Sequence, residues 1–207
     1  SLIKSSHPEV HAEIVVSDRR LNLALGEADV AVRAGGANEA PDIVRRRMPD
    51  TAWAIYGSHA FLHDFGIPSG EEDIVRYPVI VGEGILAAAP PLAYLESKAD
   101  PNRIACRSNS LPSLLAAAEA GLGLAALPAV AVAVARDLIR CGSLPSFSTP
   151  LWICWHESRR DDPLVRLASD VLAEVIKAKQ DILGGGILDG AQAAIRGAEE
   201  EQFKPVG

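Results

Sequence analysis

The sequence predicts an α/β fold, because β-branched runs alternate with amphipathic segments along most of its 207 residues. The run Ala12–Val16 predicts a strand. The apolar stripe formed by Leu21, Ala24 and Leu25 predicts a two-turn helix after it. Asp29–Arg33 predicts a second buried strand, so these elements form a βαβ unit whose strands are expected to be parallel.

The rest of the chain continues this alternation. Further strands are predicted over Thr51–Tyr56, Pro78–Val81, Ile104–Arg107, Leu124–Leu127 and Leu151–Trp155. Helical segments are predicted over His59–Phe65, Glu71–Arg76, Leu111–Ala120, Ala129–Arg140 and Pro163–Lys179, the last with Asp162 as N-cap. The stretch from Gly82 to Pro101 is rich in Ala and Pro, and we expect it to be irregular, with a strand-like piece at Leu92–Glu96.

The charge balance argues against nucleic-acid binding by this chain alone. Lys and Arg number 20 and Asp and Glu number 27, which gives a formal net charge of −7. Nonspecific DNA binding depends on Lys and Arg side chains that neutralise phosphates. The densest basic cluster, Arg45–Arg47, lies near Asp42 and Asp50 in the sequence and is interpreted as a solvated surface run.

The cysteines and the apolar stretches predict a cytoplasmic protein. The 3 cysteines show no CxxC spacing, and Cys106 and Cys154 lie in strand-like runs where reduced, buried thiols are expected. The most apolar stretch, Leu122–Ala135, is about half as long as a membrane span and contains Pro128. The first residues show no apolar signal region, so neither export nor membrane insertion is indicated.

Three segments together carry a family resemblance through their order and spacing. They are His7–Val10 leading to Leu25–Arg33, Ser108–Ser110 followed by Ala120–Pro128, and the strand from Leu151 followed by the helix that starts at Asp162–Leu164. Each motif alone is weak, but the three in register are fairly specific. Over residues 1–180 the chain resembles the effector-binding domain of LysR-type bacterial transcription regulators.

The resemblance implies two doubly wound lobes similar to type 2 periplasmic binding proteins, joined by hinge strands, with the ligand in the cleft between them. Lobe I is expected to comprise residues 1–57 and 149–180, lobe II residues 58–148, and residues 181–207 a C-terminal tail. The implied ligand is a small, anionic effector, and the implied assembly is a homodimer or tetramer.

The resemblance also indicates a truncated chain. Family members carry a winged helix-turn-helix, a linker helix and a first core strand before the segment that matches His7–Val10, and this chain shows none of them. We therefore expect contact with DNA only through a helix-turn-helix that is absent here. Loss of the first strand is expected to leave backbone groups of a parallel sheet unpaired.

Ligands of doubly wound sheets bind at the carboxyl ends of strands, where helix N-termini present free N–H groups to anions. This rule selects the loops after the predicted strands as the ligand-binding residues: Ser17, Arg33, Ala34, Gly35, Gly82, Glu83, Ser108, Asn109 and Ser110. The hydroxyl groups of Ser17 and Ser108 are expected to bind the ligand, and Arg33 to pair with a carboxylate. An equally weighted interpretation makes both serines helix N-caps and Arg33 a salt-bridging strand end.

The residues do not indicate catalysis, a cofactor or a metal site. His59 and His63 have the i, i+4 spacing of metal ligands, but without a third ligand nearby a solvated helix face is the preferred interpretation. Gly121 and Gly123 follow a predicted helix and do not open one, which excludes a dinucleotide fingerprint. No GxSxG nucleophile elbow occurs.

The sequence leaves one alternative function open. A solute-binding protein of a transporter has the same bilobal fold, although the first residues show no export signal. An enzyme on an α/β scaffold is a third hypothesis, and it lacks a clustered acid, base or nucleophile in the sequence. Sequence upstream of the chain distinguishes the first two, because a regulator has a helix-turn-helix there and a transporter component has a signal peptide.

Overall fold

The computed structural model describes residues 7, 9–17, 19–36, 40–133, 135, 137–141 and 145–184, and these divide into two compact units. The first unit contains the described residues up to Asp50 together with Thr149–Gln180. The second unit contains the described residues of Thr51–Ser148 and those from Asp181 onward. Most of the expected C-terminal tail, residues 185–207, lies outside the described residues.

Strands and helices alternate along the described part of the chain. The strands are β1 (Ala31–Ala34), β2 (Ile43–Ser58), β3 (Val79–Gly82), β4 (Ile104–Ser108), β5 (Leu124–Pro128), β6 (Leu138–Arg140) and β7 (Phe147–His156). The α-helices are α1 (His59–Phe65), α2 (Pro90–Lys98), α3 (Leu111–Glu119), α4 (Ala129–Val132), α5 (Pro163–Ala178) and α6 (Gln180–Leu183). Short 3-10 helices cover Glu71–Arg76, Gly84–Ala88, Pro101–Arg103 and Glu157–Arg159.

The second unit is organised around a mixed sheet in the order β2-β5-β3-β4, with β6 paired to β2. β3 is parallel to both of its neighbours, β4 and β5, whereas β2 is antiparallel to β5. All residues of β3 and β5 are buried, as expected for strands that are covered on both faces. Leu92 and Leu95 of α2 and Leu114 of α3 complete this core.

The path of the backbone in the segment Ala120–Pro128 requires glycine at two positions. Gly121 has a φ of 76°, a conformation that favours glycine, and it directly follows the end of α3. A Cβ atom on Gly123 would lie 2.5 Å from the carbonyl oxygen of Pro78. That same oxygen accepts the backbone N–H of Leu124 at 3.0 Å. The motif therefore allows β5 to start in close contact with the residue that precedes β3.

The first unit contains β1, the adjacent part of β7 and the first half of β2. β1 is antiparallel to β7, with Val32 paired to Ile153 and Arg33 to Trp152. Helix α5 begins as the sequence predicts, because the side chain of Asp162 accepts the backbone N–H of Leu164 at 2.9 Å.

The predicted βαβ unit near the start of the chain is wrong. Ala12–Val16 forms no strand, and Ile14 and Val16 are 86% and 84% exposed. No helix forms on the stripe of Leu21, Ala24 and Leu25, and only turns occur there. The strand expected at Asp29–Arg33 is β1, but its partner is antiparallel. β-Branched residues favour a strand only where a partner strand supplies hydrogen bonds, and the described chain supplies none to residues 12–16.

Three further predictions need correction. The segment expected to be irregular or strand-like contains α2, which starts with Pro90 and Pro91 in its first turn, where a missing N–H costs nothing. The long helix expected at Ala129–Arg140 stops after one turn, and Leu138–Arg140 pairs with Tyr56–Ser58 as β6. Cys106 is only half-buried, whereas Cys141 and Cys154 are buried, and none of the three forms a disulfide.

Helices built from the described residues are too short or too polar to cross a membrane.

Candidate functional site

The loops that follow β3 and β4 meet at the carboxyl edge of the second unit's sheet. Gly82 and Ser108, the last residues of these parallel strands, are in register. The backbone N–H of Glu83 donates a 2.9 Å hydrogen bond to the carbonyl oxygen of Ser108. The structure therefore brings together five of the nine residues selected from the sequence: Gly82, Glu83, Ser108, Asn109 and Ser110.

The turn after β3 depends on the absence of a side chain at Gly82. A Cβ atom there would lie 2.8 Å from the carbonyl carbon of Leu86 and 2.9 Å from its oxygen. The chain thus folds directly over Gly82 into the 3-10 helix Gly84–Ala88. The side chains of Glu83 and Asn109 remain exposed at this edge and are accessible to a solute.

The two serines after β4 have different roles in the turn. The Ser108 hydroxyl accepts the backbone N–H of Ser110 at 3.1 Å and lies 3.4 Å from the Ser110 carbonyl oxygen. Ser110 is the N-cap residue of α3, but its side chain forms no capping hydrogen bond, and its carbonyl oxygen accepts the N–H of Leu114. The Ser108 hydroxyl thus stabilises the turn, while the Ser110 hydroxyl makes no cap.

In the first unit, the residues after β1 are held by hydrogen bonds within that unit. Arg33 donates from Nη2 to the carbonyl oxygen of Leu21 at 2.7 Å. The N–H of Gly35 donates to the Pro150 carbonyl at 2.9 Å, and the indole N–H of Trp152 donates to the Gly35 carbonyl at 3.2 Å. Ala34 pairs with Leu151 in the strand register. This arrangement fixes the end of β1 against β7.

Ser17 does not occupy the position for which it was selected. Because residues 12–16 form no strand, Ser17 does not follow a strand end. Its hydroxyl accepts the backbone N–H of Arg19 at 3.1 Å and donates to the Arg19 carbonyl oxygen at the same distance. The hydroxyl therefore closes a small exposed turn and caps no helix.

The Gly-Glu-Ala-Asp part of the first motif is a turn held by a carboxylate. Glu27 accepts the backbone N–H of Asn22 at 2.7 Å and the Arg19 guanidinium at 3.0 Å. These hydrogen bonds, that of Asn22 first, hold the pKa of Glu27 below its ordinary value. Asp29 pairs with Arg159 at 3.0 Å, which connects the start of β1 to the end of β7.

The structure also contains a carboxylate–imidazole–hydroxyl contact that sequence reasoning missed. His156 lies 3.0 Å from Asp42 Oδ2 through Nε2 and 2.7 Å from Ser158 Oγ through Nδ1. Nδ1 also accepts the backbone N–H of Ser158 at 3.3 Å, so His156 is the N-cap of the 3-10 helix Glu157–Arg159. The N–H of Glu157 donates to the Asp42 carbonyl at 2.8 Å. Together these bonds join the residue before β2 to the end of β7.

Two other polar features were not apparent from the sequence. Arg45 and Arg47 place their guanidinium groups 5.0 and 5.2 Å from the ring centre of Trp152, which is the geometry of a cation–π contact. In the second unit, Thr51 Oγ1 and Trp53 Nε1 are buried without a hydrogen-bond partner among the described residues. Alternation along β2 predicts which side chains share a face, but only coordinates show that a donor has no acceptor.

The histidine pair considered as a metal site lies on α1. His63 Nδ1 contacts the neighbouring Asp64 carboxylate at 3.1 Å, and His59 is the first residue of the helix. Among the described residues, no group of three or more His, Cys, Asp or Glu side chains is arranged to hold a metal ion.

Residues 2–177 match the family model described as the LysR substrate binding domain. The chain belongs to this family. The family resemblance inferred from the three motifs is thereby confirmed, and the LysR substrate-binding domain is the effector-sensing part of transcription regulators. It is a regulatory family and not an enzyme family. Of the functions that the sequence left open, the family match selects the sensor domain of a regulator.

Known proteins similar to this LysR substrate-binding domain include transcription regulators. A relative from Haemophilus influenzae, described as an uncharacterized HTH-type transcriptional regulator, is 26% identical over 126 residues, which cover 60% of this chain and 43% of the relative. The chain therefore spans less than half the length of that curated relative.

Solved structures of LysR-type regulators share the fold. The regulatory domain of CrgA from Neisseria meningitidis has a TM-score of 0.70 at 20% identity, with 84% of this chain and 88% of that chain covered. The AmpR effector binding domain from Citrobacter freundii has a TM-score of 0.67 at 19% identity, with 85% and 88% covered. Full-length AphB, a Vibrio cholerae virulence activator, has a TM-score of 0.63 at 16% identity, with 84% and 61% covered. The predicted α/β fold of the type 2 periplasmic-binding kind is confirmed.

Proposed function

We propose that this domain binds a small, anionic metabolite as the effector of a LysR-type transcription regulator. The observation that carries the proposal is the meeting of the loops after β3 and β4, where Glu83 N–H and Ser108 O join two parallel strand ends. Ligands of such sheets bind at this edge, next to the N-terminus of a following helix, here α3. The proposal also keeps Arg33, Ala34 and Gly35, which the same strand-end rule selects, as effector-binding residues.

The longer protein in this proposal is a cytoplasmic DNA-binding regulator that acts as a homodimer or tetramer. DNA binding is assigned to a helix-turn-helix segment, because the chain itself carries a net charge of −7. The Haemophilus influenzae relative described as an HTH-type regulator supports this assignment. Effector binding would change the affinity for DNA through a coupling between two sites, which is reciprocal by thermodynamic linkage.

The effector site is tested by thermal denaturation of the chain with a panel of anionic metabolites. We expect one or more to raise the melting temperature, and Ser110→Ala and Glu83→Gln to alter that shift. Ser97→Ala on α2, a helix whose exposed Ser97 hydroxyl donates only to the Tyr94 carbonyl, serves as the control. If the loop variants show the same metabolite-induced shift in melting temperature as the control, these loops are not part of the site.

The regulator role is tested separately with the longer protein. We expect its DNA binding, measured by fluorescence anisotropy on its own promoter region, to change when the stabilising metabolite is added. A reading frame without a helix-turn-helix would contradict the proposed DNA-binding role.

A further inference from the structure

Two hydrogen-bond donors in the second unit are buried and unpaired. Residues Thr51 and Trp53 are 2% and 7% exposed, and neither Thr51 Oγ1 nor Trp53 Nε1 has a partner among the described residues. An indole N–H can only donate, so it has no alternative role as acceptor. Buried polar groups in native proteins are nearly always hydrogen-bonded, and an exception calls for a specific explanation.

The two donors share one face of β2 at the edge where the strand-end loops meet. Residues two apart on a strand point to the same face and are about 7 Å apart. Trp53 is paired with Pro128, the last residue of β5, and Thr51 lies beyond that strand end. β5 runs parallel to β3, so Thr51 and Trp53 occupy the same carboxyl edge as Gly82 and Glu83. β2 and β3 are separated by two strand spacings, or about 10 Å, a distance that a small metabolite spans.

We propose that Thr51 and Trp53 are specificity-determining residues that donate hydrogen bonds to a carboxylate of the effector. This inference rests on the proposed function and adds the chemical class of the ligand. A carboxylate has two acceptor oxygens that match two donors and a single charge. Phosphate groups carry more charge and are more often bound by Arg side chains. The effector is therefore a small organic acid with one end at Thr51 and Trp53 and the other toward the loop at Glu83.

The first test removes the hydroxyl of Thr51 while keeping the shape of the side chain. Thr51→Val removes the donor, and Thr51→Ser restores it. We expect Thr51→Val to keep or raise the melting temperature, because it removes an unpaired polar group, and to weaken carboxylate binding by about tenfold. The probes are acetate, succinate and benzoate, with acetamide and benzamide as uncharged controls. A lowered melting temperature in Thr51→Val would show that the hydroxyl serves the fold, which overturns the proposal.

The second test observes the indole N–H groups directly by ¹H–¹⁵N NMR of the 207-residue chain. Single Trp152→Phe and Trp155→Phe variants assign the indole signals. We expect the Trp53 signal to shift when the bound carboxylate is added. The Trp152 signal is an internal control, because its indole N–H already donates to Gly35. A shift at Trp155 without one at Trp53 places the acid elsewhere and overturns the assignment.

The outcomes separate this inference from the proposed function. If none of the organic acids binds while another metabolite stabilises the chain and alters DNA binding, the carboxylate assignment fails and the sensor function stands. If an organic acid binds with the expected loss in Thr51→Val but DNA binding of the longer protein never responds, the binding site stands and the regulatory proposal fails.

Discussion

The backbone N–H of Glu83 and the carbonyl oxygen of Ser108 are 2.9 Å apart, and their hydrogen bond extends the parallel pairing of β3 and β4 by one residue into the loops. The bond fixes the two loops relative to each other before any ligand arrives. Such preorganisation lowers the entropy that ligand binding must overcome. Gly82 permits this arrangement, because a Cβ atom would meet the Leu86 carbonyl group.

Gly82→Ala is therefore expected to destabilise the second unit by about 1–3 kcal/mol, since the new methyl group forces the backbone of the following 3-10 helix to move. Urea denaturation followed by Trp53 fluorescence, in a Trp152→Phe, Trp155→Phe background, measures the effect. Gly70→Ala is the matched control, because the three atoms nearest to its methyl group would all belong to the end of the exposed Glu72 side chain, the closest at 2.7 Å, and a flexible side chain can move aside. Equal stability of the two variants would show that the loop after β3 adjusts freely.

Helix α2 gives a second prediction about the same unit. Leu95 is 0% exposed and Ala93 on the same helix is exposed. Leu95→Ala is expected to cost about 2–5 kcal/mol, because it leaves a cavity in the core. Ala93→Gly changes only helix propensity and is expected to cost about 0.5–1 kcal/mol. If this segment were irregular, as its composition suggests, the glycine substitution would have no effect on the free energy of unfolding.

Helix α5 was predicted correctly because its signals are local. The N-cap Asp162, Pro163 in the first turn and a long apolar stripe define α5, and all of these lie within one continuous segment. Two of the segments that were mispredicted depend on distant partners. Leu138–Arg140 is a strand because it meets Tyr56–Ser58, and Ala12–Val16 is not one because it meets no strand in the described chain.

The candidate site likewise has a part that a sequence rule predicts and a part that depends on distant atoms. That the loops after β3 and β4 meet follows from the rule that parallel strands end at one edge, and the sequence sufficed to predict it. The unpaired state of Thr51 and Trp53 depends on every atom that surrounds them, and no periodicity reports it. Ser17 was selected by the strand rule, but the strand predicted before it does not form.

The three thiols are expected to differ in reactivity. Burial raises the pKa of the Cys141 thiol to about 12, so almost none of it is the reactive thiolate near neutral pH. Cys154 is also buried, whereas Cys106 is half-buried in β4. We expect N-ethylmaleimide to modify Cys106 first, as read by mass spectrometry of peptides. Cys106→Ser should abolish the fast phase, and urea should expose all three thiols. Rapid labelling of Cys141 in the folded chain would contradict the packing around β6.

The cap of α5 predicts a specific pH dependence. The backbone N–H of Leu164, assisted by that of Val165 and by the Arg159 guanidinium, holds the pKa of Asp162 below its ordinary value of 3.8. A carboxyl group whose pKa is lower in the folded state stabilises the fold above its ordinary pKa, and this stabilisation is lost as the pH falls through the folded-state value. The difference in the free energy of unfolding between the wild type and Asp162→Asn should therefore have its full size at neutral pH and shrink at pH values below 3.8.

Asp161→Asn is the control for this prediction, because it removes the same charge from the adjacent, exposed position, which contacts Arg166 and does not cap the helix. Urea denaturation at a series of pH values, followed by circular dichroism of the helices, measures both variants. A difference for Asp162→Asn that stays constant from neutral to acidic pH would show that the difference does not depend on ionisation of the carboxyl group. The charge of Asp162, as distinct from its oxygen atoms, would then contribute nothing to the start of the helix.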